Sequence, residues 1–357
     1  MKLLSLAIVL ILFAGGADAQ SYAAQKQLPS TDRHALSPAM SGYSGNTVLI
    51  SDFFRQWVGI KGAPEHLKLM YAGTVHKDLH TAISIGQYKT GNFVSFNPSV
   101  SLANHIRISD QSKLLFGFRA NYLSMQLNTA GIHGDIENDP ILAQAKALKT
   151  NRMYFGAGIS WQYKDLTVGL FSEQLAGIYF SNPYRYTEKI EAGLHLNYEY
   201  QISKTHEISA GAVFQSIPQD FANEFRYQSD VLWNFRKKIF AGFSLSTGFA
   251  PGLSAGAALT DHILMFYSYG SNFNAPASYS GGNHLLKLHI LIKRKRIPDS
   301  YDPFPISESE KEIIRSETMQ KEYKDELEKL KQHFNKAIYE YDKRIEELEK
   351  KIEKKGL

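Results

Sequence analysis

Beyond residue 20 the chain is dominated by alternation of apolar and polar positions with a period of two. In 152–163 one face carries Met153, Phe155, Ala157, Ile159, Trp161 and Tyr163. The other carries Arg152, Tyr154, Gly156, Gly158, Ser160 and Gln162. The same holds for 113–122, where Leu114, Phe116, Phe118, Ala120 and Tyr122 oppose Lys113, Leu115, Gly117, Arg119 and Asn121. In 190–200, Ile190, Ala192, Leu194, Leu196, Tyr198 and Tyr200 oppose Glu191, Gly193, His195, Asn197 and Glu199. Successive side chains of a strand point to opposite faces, so each segment predicts a strand with one apolar face. These strands are also longer than the five or six residues usual in soluble sheets, and they end in aromatics. Such segments recur 14 times, at about 47–57, 64–74, 79–89, 93–107, 112–127, 152–163, 165–179, 187–201, 204–216, 222–235, 237–248, 251–259, 262–270 and 282–293.

Long strands with one apolar face and aromatic ends suit a bilayer. Lipid offers no partner for backbone N–H and C=O groups, so strands cross it only as a closed sheet with an apolar exterior. The connections alternate as well: short turns at 163–165, 236–237 and 260–261 lie between longer ones at 128–151, 180–186 and 271–281. Short turns on one side and long loops on the other are the habit of outer-membrane barrels. The expectation is therefore an all-β chain, a transmembrane antiparallel barrel of about 14 strands over 47–293, with both termini on the periplasmic side. A large soluble sandwich or propeller is the competing architecture.

The flanks differ from the middle. Met1-Lys2, the apolar run from Leu3 to Phe13 and Ala17-Asp18-Ala19 have the layout of a secretory signal peptide (residues 1–19) with cleavage before Gln20; a buried N-terminal helix is the alternative. Residues 20–46 form a periplasmic or lumenal segment. The basic run Lys293-Arg294-Lys295-Arg296 opens a proline-containing linker (294–306) and suits an anionic lipid surface. Residues 307–357 contain 13 Lys/Arg and 14 Asp/Glu, and Leu327, Phe334, Tyr341 and Leu348 recur every seven positions, with Ile338, Ile345 and Ile352 at the second core position. This predicts a charged, coiled-coil-like periplasmic helix that pairs with a second copy or another periplasmic protein, or else stands as a single helix.

Composition narrows the chemistry. The chain of 357 residues has no cysteine, which excludes disulfides, thiolate metal sites and cysteine nucleophiles. Aromatics make up 12%, as interfacial girdles demand. The net charge of +5 sits in a secreted chain, where basic residues serve solvated and interfacial roles, so no nucleic-acid partner is expected. The 12 histidines are scattered, and no zinc-protease, nucleophile-elbow or phosphate-loop motif is present, so no catalytic residue, cofactor or metal is expected. Arg119, Glu191, Arg226 and Asp230 fall on the polar faces and are expected to form an ion network inside the barrel, a reading preferred to a substrate channel.

The most distinctive stretch is Ser37-Pro38-Ala39-Met40-Ser41-Gly42, followed by Phe54-Arg55-Gln56-Trp57-Val58-Gly59-Ile60-Lys61-Gly62-Ala63-Pro64. It resembles the PorP/SprF family of type IX secretion outer-membrane proteins, whose members open with an Asn-Pro-Ala…Ala-Gly segment and an Arg-x-Gln-Trp-x-Gly-x-x-Gly-Ala-Pro motif. Pro38, Ala39, Gly42, Arg55, Gln56, Trp57, Gly59, Gly62, Ala63 and Pro64 carry the match. Ser37 and Ser41 depart from the first segment, and Gln56 follows Arg55 with no spacer. The resemblance runs to about residue 293 and stops before the charged tail. It implies a non-enzymatic protein of a Gram-negative outer membrane that docks, exports or anchors a secreted cargo, such as a gliding adhesin, beside other type IX subunits and lipid. A small-solute diffusion or uptake channel is the alternative. The motif residues themselves serve either as hairpin-end geometry, with Trp57 as an interfacial anchor, or as partner contacts.

Overall fold

A computed structural model describes residues 28–76, 78–109, 111–128, 149–181, 190–218, 223–246, 251–270 and 281–293, together with helical residues at 319–320, 323–329, 331–332 and 336. The chain divides into two units, Met1–Pro305 and Ile306–Leu357. The first unit begins with a one-turn helix α1 (Arg33–Leu36) and a 3₁₀ turn (Pro38–Met40). Fourteen strands follow: β1 (Thr47–Arg55), β2 (Glu65–His76), β3 (Leu79–Thr90), β4 (Phe93–Ser109), β5 (Ser112–Leu127), β6 (Lys149–Tyr163), β7 (Leu166–Ser181), β8 (Ala192–Gln201), β9 (His206–Pro218), β10 (Asn223–Phe235), β11 (Ile239–Ser246), β12 (Gly252–Thr260), β13 (Ile263–Gly270) and β14 (Asn283–Lys293). Each pairs antiparallel with its neighbours in sequence, and β1 pairs with β14 to close the barrel. The expected 14-strand barrel is thus the observed fold.

Closure follows from the need to pair every backbone polar group at the depth of the hydrocarbon. β1 finds β14 in the register Asp52↔Lys287 and β2 in the register Asp52↔Lys68, which leaves no strand edge open. The alternation then sets two environments. Phe53, Leu67, Leu69, Ile83, Ile85, Leu102, Phe118 and Leu170 are exposed large hydrophobics that a lipid face requires, while Asp52, His66, Ser101, Asn121, His195 and Lys287 on the other face are buried. The aromatic girdle expected at strand ends is present: Trp161 stacks on Tyr163, Tyr198 on Tyr200 and Trp233 on Phe235. Their polar edges are used, since Trp161 Nε1 donates to Ser112 Oγ at 2.9 Å and Trp233 Nε1 to His206 Nδ1 at 3.3 Å.

Both ends of the barrel sheet, Thr47 and Lys293, lie on the end that carries the short turns. Those turns use left-handed backbone at Lys164, Arg236 and Lys237 (φ 50°, 53° and 54°), as two-residue hairpin turns that match strand twist demand. The side chains fold back as cations over neighbouring rings, Lys164 over Tyr163 and Arg236 over Phe235. Most strand boundaries fall within two residues of the alternation pattern, and the starts of β6 and β8 depart further. β6 begins earlier, at Lys149, because Gln126 and Met125 of the long β5 supply it with partners, and β8 begins only at Ala192, with Ile190 and Glu191 outside the strand.

The interior is filled. Residues 28–46 run inside the sheet and are almost wholly buried, with Leu36, Ala39 and Met40 fully so. Small residues on the inner wall make the room. A Cβ on Gly117 would collide with the Pro38 carbonyl and the Ala39 nitrogen, and one on Gly211 would come within 2.6 Å of Ser30 N. A Cβ on Gly158 would stand 2.7 Å from Ser37 Oγ. Since backbone cannot yield as a flexible side chain can, Gly117→Val is expected to cost about 1–3 kcal/mol and to unseat this segment. Thermal unfolding in detergent, with limited proteolysis of residues 28–46 at ambient temperature, would check it: the segment should become cleavable while the barrel keeps its heat-modifiable mobility.

Candidate functional site

The lumenal segment is held by one attachment after another to the wall. Ser30 donates its N–H to Asp230 Oδ1 at 2.9 Å and its hydroxyl to the same carboxylate. Arg33 pairs with Glu199 through NH1 and donates Nε to the Ser30 carbonyl at 3.0 Å. His105 Nε2 donates to the Ala39 carbonyl at 3.1 Å, and the Thr74 hydroxyl to the Gly45 carbonyl at 3.1 Å. Tyr43 OH lies 3.3 Å from Thr167 Oγ1. Contacts to β2, β4, β7, β8 and β10 therefore grip one short stretch of chain.

The centre of this arrangement is a buried charge triad. Lys287, on the inner face of the closing strand and 1% exposed, sets its ammonium 3.2 Å from Asp32 Oδ2 of the lumenal segment and 3.6 Å from Asp52 Oδ1 of β1. A lone ammonium so placed would be severely penalised, and the two carboxylates compensate it. Burial pushes the Asp32 carboxyl up, but the Lys287, Lys68 and His289 charges and the hydrogen bond from Lys287 outweigh it and hold it at about 2. His34, buried beside Arg33 and His80, goes the other way: burial dominates, the Asp32 charge offsets only part, and its pKa falls to about 4.

Above the segment, towards the loop end, lies a cavity of about 170 Å³. Asp32 and Ala35 form its floor, and side chains from β1 to β7 and β14 form its wall. Arg119 donates from NH1 to both Glu173 oxygens at 2.9 Å and from Nε to Ser101 Oγ at 2.7 Å. Glu173 sits where β7 carries two extra residues opposite Gly156, as the register passes from Phe155↔Ala176 to Ala157↔Ser172. Such irregularities re-aim side chains.

The sequence-derived candidates fall into separate places. Pro38, Ala39 and Gly42 belong to the lumenal segment. Gly42 has φ 63°, and a Cβ there would press on the Gly73 carbonyl and His80. Arg55 ends β1, and Gln56, Trp57, Gly59, Gly62, Ala63 and Pro64 form the β1–β2 connection at the loop end. Gln56 N–H donates to the Pro64 carbonyl at 2.9 Å, and Arg55 Nε stands 3.2 Å from Glu65. Gly59 and Gly62 have positive φ (98° and 76°), as tight turns require, but so does Trp57 (φ 51°), whose N–H bonds to Asn283 Oδ1 at 3.2 Å. Val58 and Gly281–Gly282 exchange backbone hydrogen bonds, which ties this connection to the entrance of β14.

Of the residues expected to form a lumenal ion network, Arg119 and Asp230 face inward, where Arg119 pairs with Glu173 and Asp230 accepts from Ser30. Glu191 and Arg226 are half-buried. Asp32, Asp52, Lys68, Glu173 and Lys287 carry most of the charge of the cavity and had no sequence motif to mark them. Inward parity at Asp52, Lys68 and Lys287 was the available signal. Of the heptad positions, Leu327 lies in the short helix at 323–329 and is exposed; Phe334, Ile338, Tyr341, Ile345, Leu348 and Ile352 lie outside the described residues. Met319, Tyr323 and Leu327, spaced by four, are all exposed. The signal peptide (1–19), residues 20–27, the linker 294–306 and the loop segments 129–148 and 271–280 are likewise outside them.

One polar constellation has the outline of a hydrolytic site. Ser160 Oγ lies 2.9 Å from His195 Nε2, and Asn197 Nδ2 lies 3.4 Å from His195 Nδ1. All three side chains are buried, Gly169 packs onto the first two, and the cavity does not reach them. Leu36 packs beside them with Phe171 and Val213. This is a buried hydrogen-bond chain of the wall. Among the described residues, no group of three or more His, Cys, Asp or Glu could hold a metal ion.

A closed, lipid-facing sheet with a filled polar lumen defines an outer-membrane β-barrel. The family described as "Type IX secretion system membrane protein PorP/SprF" matches residues 17–290, well over half of the chain, and the protein belongs to that family. Comparison with curated protein sequences finds no match. Solved barrels show distant likeness. CdiB from Acinetobacter baumannii is 10% identical with TM-score 0.41, over 69% of this chain and 59% of its own. The P. putida toluene transporter TodX is 9% identical with TM-score 0.43, over 74% and 95%. The CymD monoaromatic hydrocarbon channel is 10% identical with TM-score 0.45, over 72% and 92%. This chain thus spans less than two thirds of CdiB.

Two outcomes follow from the charges. Lys287→Met strands two buried carboxylates and is expected to cost about 3–5 kcal/mol, much of it recovered when Asp32→Asn and Asp52→Asn are added; thermal unfolding in detergent measures both. His34 has its folded pKa below the value of 6.5 in the unfolded chain, so the unfolded state takes up its proton first. Stability is thus full above 6.5 and declines as pH falls towards 4, while Asp32 stays ionised throughout this window. The melting temperature should drop between pH 6.5 and 4, and the drop should be smaller in His34→Gln.

Proposed function

We propose that this protein is a non-enzymatic docking barrel of type IX secretion, which presents its loop end to a secreted cargo protein and its turn end to the periplasm. The observation that carries the reading is the filled lumen in a member of this family: residues 28–46 occupy the space that a diffusion pore would need. The rest of the proposal extends from there. The β1–β2 connection, stiffened by its tie to Gly281–Gly282, offers cargo a shaped surface around Trp57 and Gly59. Short turns on the end that holds Thr47 and Lys293 support a periplasmic position for both termini. The exposed Met319, Tyr323 and Leu327 support a helix that binds a second copy or another secretion subunit, with the heptads to residue 352 extending the seam.

The test is purification from outer membranes, with and without residues 300–357. The full chain should bring down a secreted protein and other type IX subunits, and loss of the tail should release the periplasmic partners. In planar bilayers the purified barrel should show no stable open-pore conductance. A steady conductance with no co-purifying protein would instead establish a solute channel. Mass spectrometry of the mature chain should find Gln20 at its N-terminus.

A further inference from the structure

The short turns at one end of the barrel differ in charge. Those at 77–78, 110–111, 164–165 and 261–262 each carry an aspartate, whereas the two at 202–205 and 236–238 carry Lys204, Arg236, Lys237 and Lys238 and no acidic residue. These two turns touch, since Arg236 N–H donates to the Thr205 carbonyl at 2.7 Å. Lys204, Arg236 and Lys238 are exposed and form no ion pair among the described residues. Glu207, the carboxylate closest to them in sequence, lies opposite the buried Asn234 on the inner face, where it accepts from Ser209 Oγ at 3.5 Å. Cations gathered without a counter-charge repel one another, and an anion from outside the chain relieves them.

Next to the cations, on the outer face, is an aromatic platform. Trp233 stacks on Phe235 at 5.9 Å between centroids, and His206 lies 5.7 Å from the first ring and 5.1 Å from the second. The Arg236 guanidinium stands 5.1 Å over Phe235 and ties the turn to the platform. Because His206 Nδ1 accepts from Trp233 Nε1, the neutral imidazole keeps its proton on Nε2, a further donor. Farther along the outer face, β9 carries only Ala210 and Ala212, flanked by Val231 and Ser229 of β10 and by Tyr198 and Leu196 of β8. These small residues leave a shallow lane along the lipid-facing wall.

We infer that this corner of the barrel is a binding site for an anionic glycerophospholipid, with its phosphodiester among Lys204, Arg236 and Lys238 and an acyl chain in the lane over Ala210 and Ala212. The platform decides for lipid against an acidic protein. It is continuous with the exposed apolar wall of Val231, Ile239 and Phe243, and rings with a polar edge sit at headgroup level in a bilayer. Cations beside them meet phosphate oxygens at short range. An acidic protein in the aqueous phase would reach the cations but not the rings.

The test is quenching of tryptophan emission by brominated lipid, with the full-length protein in phosphatidylcholine vesicles. Trp57→Phe with Trp161→Phe leaves Trp233 as the reporter. Trp57→Phe with Trp233→Phe leaves Trp161, which stacks on Tyr163 in the girdle beside the Lys164–Asp165 turn. Brominated phosphatidylglycerol should compete for the site at Trp233 about tenfold better than brominated phosphatidylcholine, and no better at Trp161. Arg236→Gln should lower that preference about fivefold, the contribution of one basic residue at an anionic lipid surface, and adding Lys204→Gln and Lys238→Gln should remove it. Heat-modifiable mobility of each variant confirms that the barrel is intact. Three results would overturn the assignment: equal quenching of Trp233 by the two lipids; a phosphatidylglycerol preference as large at Trp161, meaning general attraction to the rim; or a preference at Trp233 that survives the triple substitution. Because the vesicles hold no cargo protein, these outcomes are independent of whether docking is demonstrated.

Discussion

The ammonium of Lys287 sits almost out of reach of solvent on the strand that closes the barrel, and the interior is arranged around neutralising it. One partner, Asp52, comes from β1, directly across the closing seam; the other, Asp32, comes from the lumenal segment. The same charge therefore bears on two separate things, the seam and the seating of residues 28–46. Where a hydrocarbon exterior supplies no specificity between strands, polar groups on the inner face can fix register and fill. Glycines at 117, 158 and 211 then determine how closely the segment approaches the wall.

A filled lumen changes what the fold is suited to do. An empty barrel of 14 strands has room for a channel. Here the space is divided: the lumenal segment occupies the turn-side half, and a polar cavity remains towards the loops. Membership in a secretion family and a lumen committed to its own chain are consistent with work done at the two ends. The loop end carries a connection held by Asn283 and Gly281–Gly282, and both ends of the sheet, Thr47 and Lys293, lie at the other. Of the two segments singled out in the sequence, Pro38, Ala39 and Gly42 lie inside the barrel and Arg55 to Pro64 on its rim.

Much of the barrel was readable because its cause is local. Alternation such as Met153, Phe155, Ala157, Ile159 and Trp161 against Tyr154, Gly156, Gly158 and Ser160 follows from the two-residue repeat of a strand, and lipid on one side makes the apolar member obvious. Strand ends were less legible. The start of β6 at Lys149 depends on how far β5 extends beside it, which no property of residues 149–151 announces. Trp57 in a left-handed conformation was also hidden, since bulky residues seldom adopt it and only the tie to Asn283 explains it here.

The sequence by itself determined that this is a 14-stranded barrel with an apolar exterior, short turns on the side of both sheet ends, and a separate charged tail, because strand parity and turn chemistry act over a few residues. It also identified the inner face on which Arg119 and Asp230 lie. It could not say which of those inward residues meet. Asp32 reaches Lys287 across 255 positions of chain, and Arg119 reaches Glu173 only where β7 gains two residues. Such partnerships depend on register, on the curvature of a closed sheet and on what fills its centre. Those are properties of the whole ring, so the tertiary structure alone decided them, and with them the plug and the cavity above it.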